Sequence, residues 1–286
     1  MASVRLAVVG ALVLCLPVMA VEPESVHSLH QLEAQRHVST PTALSLVGDQ
    51  SATILSLQPR ENPPCRIVFG YLPYWESSTN IRWDLLTHLA CFSVEVNSTG
   101  AVVNRHNWPW TSMINTAHAN GVKVILTVTL FDPAAISTLM GNATYKNNFF
   151  VNMRNLILEG NADGLNVDFE GTGAWRDNFH TFLGELNTYL KSQIPGCEVT
   201  FAGPALTSRL NTLAVANACD GIFIMAYAYA GSWSTTSGAN APLSSITSSV
   251  EVQWGPVTTN APHKLILGLP YYGHRWRTQT SAQRSS

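Results

Sequence analysis

Between Arg66 and Gly273 the chain repeats one pattern: a short apolar, β-branched run, then a segment with helical spacing, then another run. The runs are RIVFGYLPYW (66–75), LTHLACFSVEV (86–96), VKVILTVTLF (122–131), DGLNVDFE (163–170), EVTFAGPA (198–205), DGIFIMAYAY (220–229) and KLILGLPYYG (264–273). The intervening segments include WTSMINTAHANG (110–121), FVNMRNLILEGN (150–161), FHTFLGELNTYLKSQ (179–193) and LNTLAVANAC (210–219). Strands that are apolar throughout and alternate with helices predict a parallel sheet covered by helices. The fold class expected is α/β, a TIM (β/α)8-type barrel with seven legible strands and no eighth after Gly273. Such a barrel takes about 250 residues, more than the chain supplies from Cys65 on. The polar tail TQTSAQRSS therefore reads as the end of a truncated sequence rather than of an open barrel with two unpaired edges. A doubly wound sheet is the alternative, but neither GxGxxG nor a P-loop follows the first strand.

The apolar share of 46% against 12% charged residues fits a folded body, and a net charge of −2 gives nucleic acid or a membrane surface nothing to hold. MASVRLAVVGALVLCLPVMA (1–20) has the charged head, apolar middle and small-residue exit of a signal peptide, too short in its apolar part to span a bilayer. The protein is expected to be secreted, extracellular or periplasmic, without a membrane anchor. Residues 21–64, rich in Ser, Thr, Pro, Gln and His, read as a linker or pro-segment with a weak helical pattern over 26–37. There His27 and His30 are expected to be solvated. No histidine or cysteine spacing fits a metal, and no cofactor is expected. Cys15 leaves with the signal. Cys65, Cys91, Cys197 and Cys219 permit disulfides in an oxidising compartment, with Cys197 and Cys219 each just before a strand and able to meet.

The fourth run sets the chemistry. In DGLNVDFE, Leu165, Val167 and Phe169 alternate with Asn166, Asp168 and Glu170, so one face is greasy and the other carries an amide and two acids. On a barrel strand the second face is the lumen, normally apolar, and successive polar side chains climb about 6–7 Å each toward the C-terminal mouth where active sites sit. Two carboxyls so close in a low dielectric cannot both ionise cheaply, which keeps one protonated for general acid work. Three polar lumen residues in series are costly without a use.

DGLNVDFE resembles the DxxDxDxE signature on the fourth strand of glycoside hydrolase family 18, the chitinase family. FGYLPYW is similar to that family's first strand, MAYAY to its sixth and LGLPYYG to its seventh. The resemblance runs from about Arg66 to the end of the chain. It implies retaining hydrolysis of a β-1,4-linked N-acetylglucosamine polymer by a substrate-assisted route. Glu170 would protonate the glycosidic oxygen, and the substrate's own acetamido carbonyl would attack, forming an oxazolinium ion. Asp168 would hold the acetamido N–H, Tyr227 its carbonyl, and Asn166 would stand where the family has its middle Asp. Tyr71, Trp75, Asp163, Met225 and Tyr272 would contact the sugar.

The departures are specific. Asn166 removes a reserve carboxylate, Ala228 stands where an Asp commonly follows the sixth-strand Tyr, the third strand's SxGG is absent, and no eighth-strand Trp is present. Tyr74, Trp108, Trp110, Trp233 and Trp276 also fall near strand exits and are further candidates for a cleft. The partner is expected to be a carbohydrate. The alternatives are a non-catalytic chitin-binding lectin, which would have lost the acid, and an N-acetylglucosaminidase acting on peptidoglycan. No GxSxG elbow supports a serine hydrolase.

Overall fold

The structure, a computed structural model, describes residues 29–280; the signal-like segment, His27 and the last six residues lie outside them. The chain starts with helices α1 (Leu29–His37) and α2 (Leu44–Val47), then strand β1 (Phe69–Pro73). The body follows as β2 (His88–Val96), β3 (Val102–Asn104), α3 (Thr111–Ala119), β4 (Lys123–Leu130), α4 (Pro133–Gly141) and α5 (Ala143–Glu159). Next come β5 (Gly164–Phe169), α6 (Phe179–Gln193), β6 (Glu198–Pro204), α7 (Thr212–Ala218) and β7 (Gly221–Met225). The Ser/Thr-rich stretch after β7 forms two helical segments, α8 (Leu243–Ser248) and α9 (Gly255–Asn260), before β8 (Leu265–Leu267).

Seven parallel strands lie in the order β1-β2-β4-β5-β6-β7-β8, curling into a barrel wall. All seven anticipated runs are these strands. The short antiparallel β3 on β2 was not legible. Among the described residues β1 and β8 are not paired with each other, so no eighth parallel strand closes the sheet.

The alternation in β5 is resolved by what lies on either side. Phe169 packs on Phe149, Phe179 and Phe182, with ring centroids 5.7, 6.5 and 5.9 Å away, so the apolar row faces α5 and α6. In α5 the buried Phe149, Phe150, Met153, Leu156 and Ile157 form the helical stripe this requires. Asn142 starts that helix by accepting from the N–H groups of Thr144 and Tyr145.

One expectation is corrected. Cys197 and Cys219 are not bonded, and all four described cysteines are free. The Cys219 thiol turns back along α7 to the Val215 carbonyl, 3.2 Å away, and burial pushes both thiols up to about 12. The described part of the segment read as a linker or pro-segment packs on the barrel as a strap. Leu46 is fully buried, and Gln58 donates its N–H to the His118 carbonyl at 3.0 Å. Arg60 reaches the carbonyls of Asp84 and Leu86 before β2. Gly48 lies so close to α3 that a Cβ there would meet Ser112 Cβ at 2.6 Å, and its φ of +59° favours glycine as well.

Candidate active site

The lumen row of β5 supplies the site. Asn166 and Asp168 are fully buried, and Glu170 follows just past the strand end with 8% exposure. Gly171 then makes the turn at φ +98°, where a Cβ would come within 2.7 Å of Pro133. Register sets Thr127 of β4 and Thr200 of β6 beside Asn166, and Thr129 beside Asp168, so a polar layer crosses three strands. Thr200 donates to Asn166 Oδ1 at 2.9 Å. Asn166 Nδ2, Asp168 Oδ1, Thr127 Oγ1 and the Tyr71 hydroxyl are buried without hydrogen-bond partners. Buried polar groups are normally satisfied, so four orphans in one lumen mark a place shaped for a polar ligand. The threonines were missed in the sequence, although LTVTL carries the same period-two signal as DGLNVDFE.

Tyr227, two residues past β7, faces the same space with Met225 beside it, and both are buried. The largest surprise is His30. Expected to be solvated, it enters the lumen from α1. Its Nδ1–H donates to Asp168 Oδ2 at 2.7 Å and lies 3.2 Å from Glu170 Oε1. Its Nε2 is 3.0 Å from the Tyr227 hydroxyl. The ring is further enclosed by Phe92 and Tyr71, with centroids at 5.4 and 5.9 Å. Nothing in the local sequence marks His30 out, because the partners it meets lie 138 and 197 residues away.

The electrostatics follow from burial and mutual charge. Burial raises the Asp168 carboxyl to about 7, the Glu170 charge adds to this, and His30 partly opposes it. For His30, burial works against the charge. The charge of Asp168 and hydrogen bonds to the acids outweigh it, leaving the pKa well above the ordinary value. Burial also raises Tyr227, so its phenol stays protonated and able to donate. His30, Asp168 and Glu170 offer ligand atoms within 4.8 Å of one another. The direct imidazole–carboxylate hydrogen bond already accounts for that grouping.

The family model for glycosyl hydrolases family 18 matches residues 67–286. The chain belongs to this family. It is 29% identical over 163 residues to probable chitinase 2 of Drosophila melanogaster, covering 52% of this chain and 33% of that protein. A chitinase-like effector of Moniliophthora roreri is 25% identical over 249 residues, covering 77% of this chain and 61% of the relative. The chain thus spans about a third and about three fifths of those relatives (33% and 61%). The Group IV chitinase of Ostrinia furnacalis, solved in complex with allosamidin, shares the fold at TM-score 0.65 and 24% identity, covering 77% of this chain and 70% of that one.

On this family 18 barrel not every anticipated site residue gathers at the mouth. Asp163 stands at the opposite end of β5, five residues or roughly 16 Å from Asp168. There it accepts from the Val124 N–H at 2.7 Å and the His118 ring at 2.9 Å, joining strand to helix. Tyr71 lines the lumen. Trp75 lies flat against His37 of α1, with centroids 4.2 Å apart and planes 6° from parallel. Tyr272 sits over Tyr227 at 6.1 Å. Tyr74, Trp108 and Trp110 belong to the core rather than a cleft. The two indole N–H groups donate to the Leu156 and His106 carbonyls, which satisfies the polar edge of each ring inside the fold. Ala228 adopts φ +61°, and its N–H donates to Asn240 Oδ1 at 3.0 Å. Among the described residues no helix is long and apolar enough to cross a membrane.

Proposed function

We propose that this family 18 chain is a secreted glycoside hydrolase that cleaves β-1,4-linked N-acetylglucosamine polymers such as chitin, with retention and substrate assistance. One observation carries the reading: Asp168, Glu170 and Tyr227 converge on a single small planar group. An imidazole places two polar atoms on either side of one carbon, and an acetamide does the same with its N–H and its carbonyl oxygen. The spacing of the pair that grips the two ring nitrogens suits an acetamido group, for which the carboxylate can accept from the N–H and the phenol can turn its own O–H to the oxygen.

Held that way, the carbonyl oxygen faces the anomeric carbon of its own sugar. It attacks as Glu170 gives its proton to the departing glycosidic oxygen, so the C–O bond breaks while the oxazolinium ring forms. Positive charge then develops on the acetamido nitrogen, beside Asp168 in a site where burial strengthens the interaction. Glu170, now ionised, takes a proton from the water that opens the ring, and configuration is retained. Two relatives bearing chitinase names support the substrate class, and the signal-like N-terminus supports export.

The test is release of methylumbelliferone from its chitotrioside by the full chain beside a Glu170→Gln variant. Loss of about 10²–10⁴-fold in kcat is expected for the variant, the usual worth of a positioned proton donor. Equal rates would overturn the assignment of Glu170. Binding of the trioside without cleavage by either chain would favour a glycan-binding relative instead.

A further inference from the structure

Helix α1 lies over the mouth with one face down. His30 and His37 are seven residues apart, two helical turns, so they share that face. His30 holds Asp168 and Tyr227, and seven residues on His37 covers Trp75. The Tyr74 hydroxyl donates to the His37 carbonyl at 2.6 Å, pinning the end of the helix, and the Tyr74 carbonyl accepts from the Ala43 N–H at 2.9 Å. Asp168 Oδ2 and the Tyr227 hydroxyl, which the acetamido group would use, are thus engaged by this chain's own imidazole. A second candidate sugar contact, the face of Trp75, is covered as well. A sugar and His30 cannot occupy that space together.

We propose that α1 is an intramolecular occupant of the sugar site, with His30 seated where the acetamido group would bind, and that the protein is closed until α1 is displaced or cut away. This rests on the reading of the pocket as an N-acetylglucosamine site. The design of the segment suits a removable cover. A nine-residue helix is marginal by itself, so α1 is held by its contacts at the mouth. Beyond it Val38 is 70% exposed and Ser39 is exposed, a stretch open to proteolysis. Farther on, the chain is anchored by the buried Leu46. A cut between α1 and α2 would therefore release the helix and leave the rest of the strap attached.

The magnitude follows from populations. A site open for a fraction f of the time binds 1/f more weakly than the open site, so a closed state favoured ten- to hundred-fold hides affinity by that factor. The test compares full-length Glu170→Gln with full-length His30→Ala/Glu170→Gln, titrated calorimetrically with chitotetraose, which neither variant turns over. The double variant is expected to bind at least about tenfold more tightly. The same His30→Ala change in an otherwise wild-type chain, or a protease nick between α1 and α2, should raise kcat/KM by a similar factor.

Unchanged or weaker binding in the double variant would overturn the proposal. So would the absence, in the wild-type chain, of nuclear Overhauser contacts between the His30 and Phe92 rings, a readout that needs no activity. Tighter binding with no hydrolysis by any chain would leave the occupant standing and remove the glycosidase reading. Glu170-dependent hydrolysis that His30→Ala leaves unaltered would do the reverse. Failure of both variants to bind chitotetraose would remove the sugar site and the occupant with it.

Discussion

Asn166 is the residue where this chain departs most instructively from the pattern of its family. The amide accepts from Thr200 and leaves its own Nδ2 unpartnered beneath Asp168. A carboxylate there would add a second buried negative charge on the same strand face. Like charges raise one another's pKa, so in Asn166→Asp the Asp168 carboxyl should move above its present value of about 7. The sign is set by that direction: a raised group stays protonated to higher pH. The limb of the kcat/KM profile that reports Asp168 should shift upward, with activity retained. A pH profile measured on both chains decides it; an identical limb would separate Asp168 from that titration.

At the scale of elements, the two ends of the barrel do different work. The mouth holds orphaned polar groups, whereas the floor is fully paired. Glu198 at the start of β6 takes His88 of β2 at 2.9 Å and Lys123 of β4 on its other oxygen, tying three strands across the lumen. Burial opposes its charge, but the hydrogen bonds from His88 and Lys123 prevail and lower its pKa to about 2. A lowered carboxylate contributes stability that is complete above its ordinary value of 4.5 and is lost as pH falls through about 2. Glu198→Gln should therefore cost about 1–3 kcal/mol at pH 7. Thermal denaturation of both chains should show the difference shrinking as the pH is lowered toward 2. A constant gap across pH would show that the cost is packing, not charge.

Across the whole molecule the N-terminal segment is the feature that reorders the picture. In its described part it runs from His30 inside the mouth along α3 to Arg60 beneath β2, so one stretch touches both ends of the barrel. Asn115 and His118 of α3 both bond to it along the way. If this were a linker, changes in it would be silent. Leu46 is completely buried in the main core, so Leu46→Ala should destabilise the whole fold by about 2–5 kcal/mol. Chemical denaturation of the full chain measures it, and a change below about 0.5 kcal/mol, the usual effect of a surface substitution, would mean that the strap does not pack as described.

The sequence by itself determined the repeat of strand and helix and the two faces of β5. It also placed Asn166, Asp168 and Glu170 on one line. Those follow from period-two and helical spacing, which are local and written in neighbouring residues. Tyr71, Met225 and Tyr227 were legible for a related reason, each sitting on or just past a strand whose direction the repeat fixes. What only tertiary structure decided depends on partners far away in the chain. Asp163 shares a motif with Glu170, yet strand direction sends it to the floor, where His118 and Val124 claim it. Cys197 and Cys219 begin adjacent strands, but the orientation of one thiol toward its own helix leaves them free. His30 sits in a weakly patterned polar stretch, and only the path of the strap carries it into the lumen. Contacts across 138 residues depend on where the intervening chain folds, and no local spacing records that.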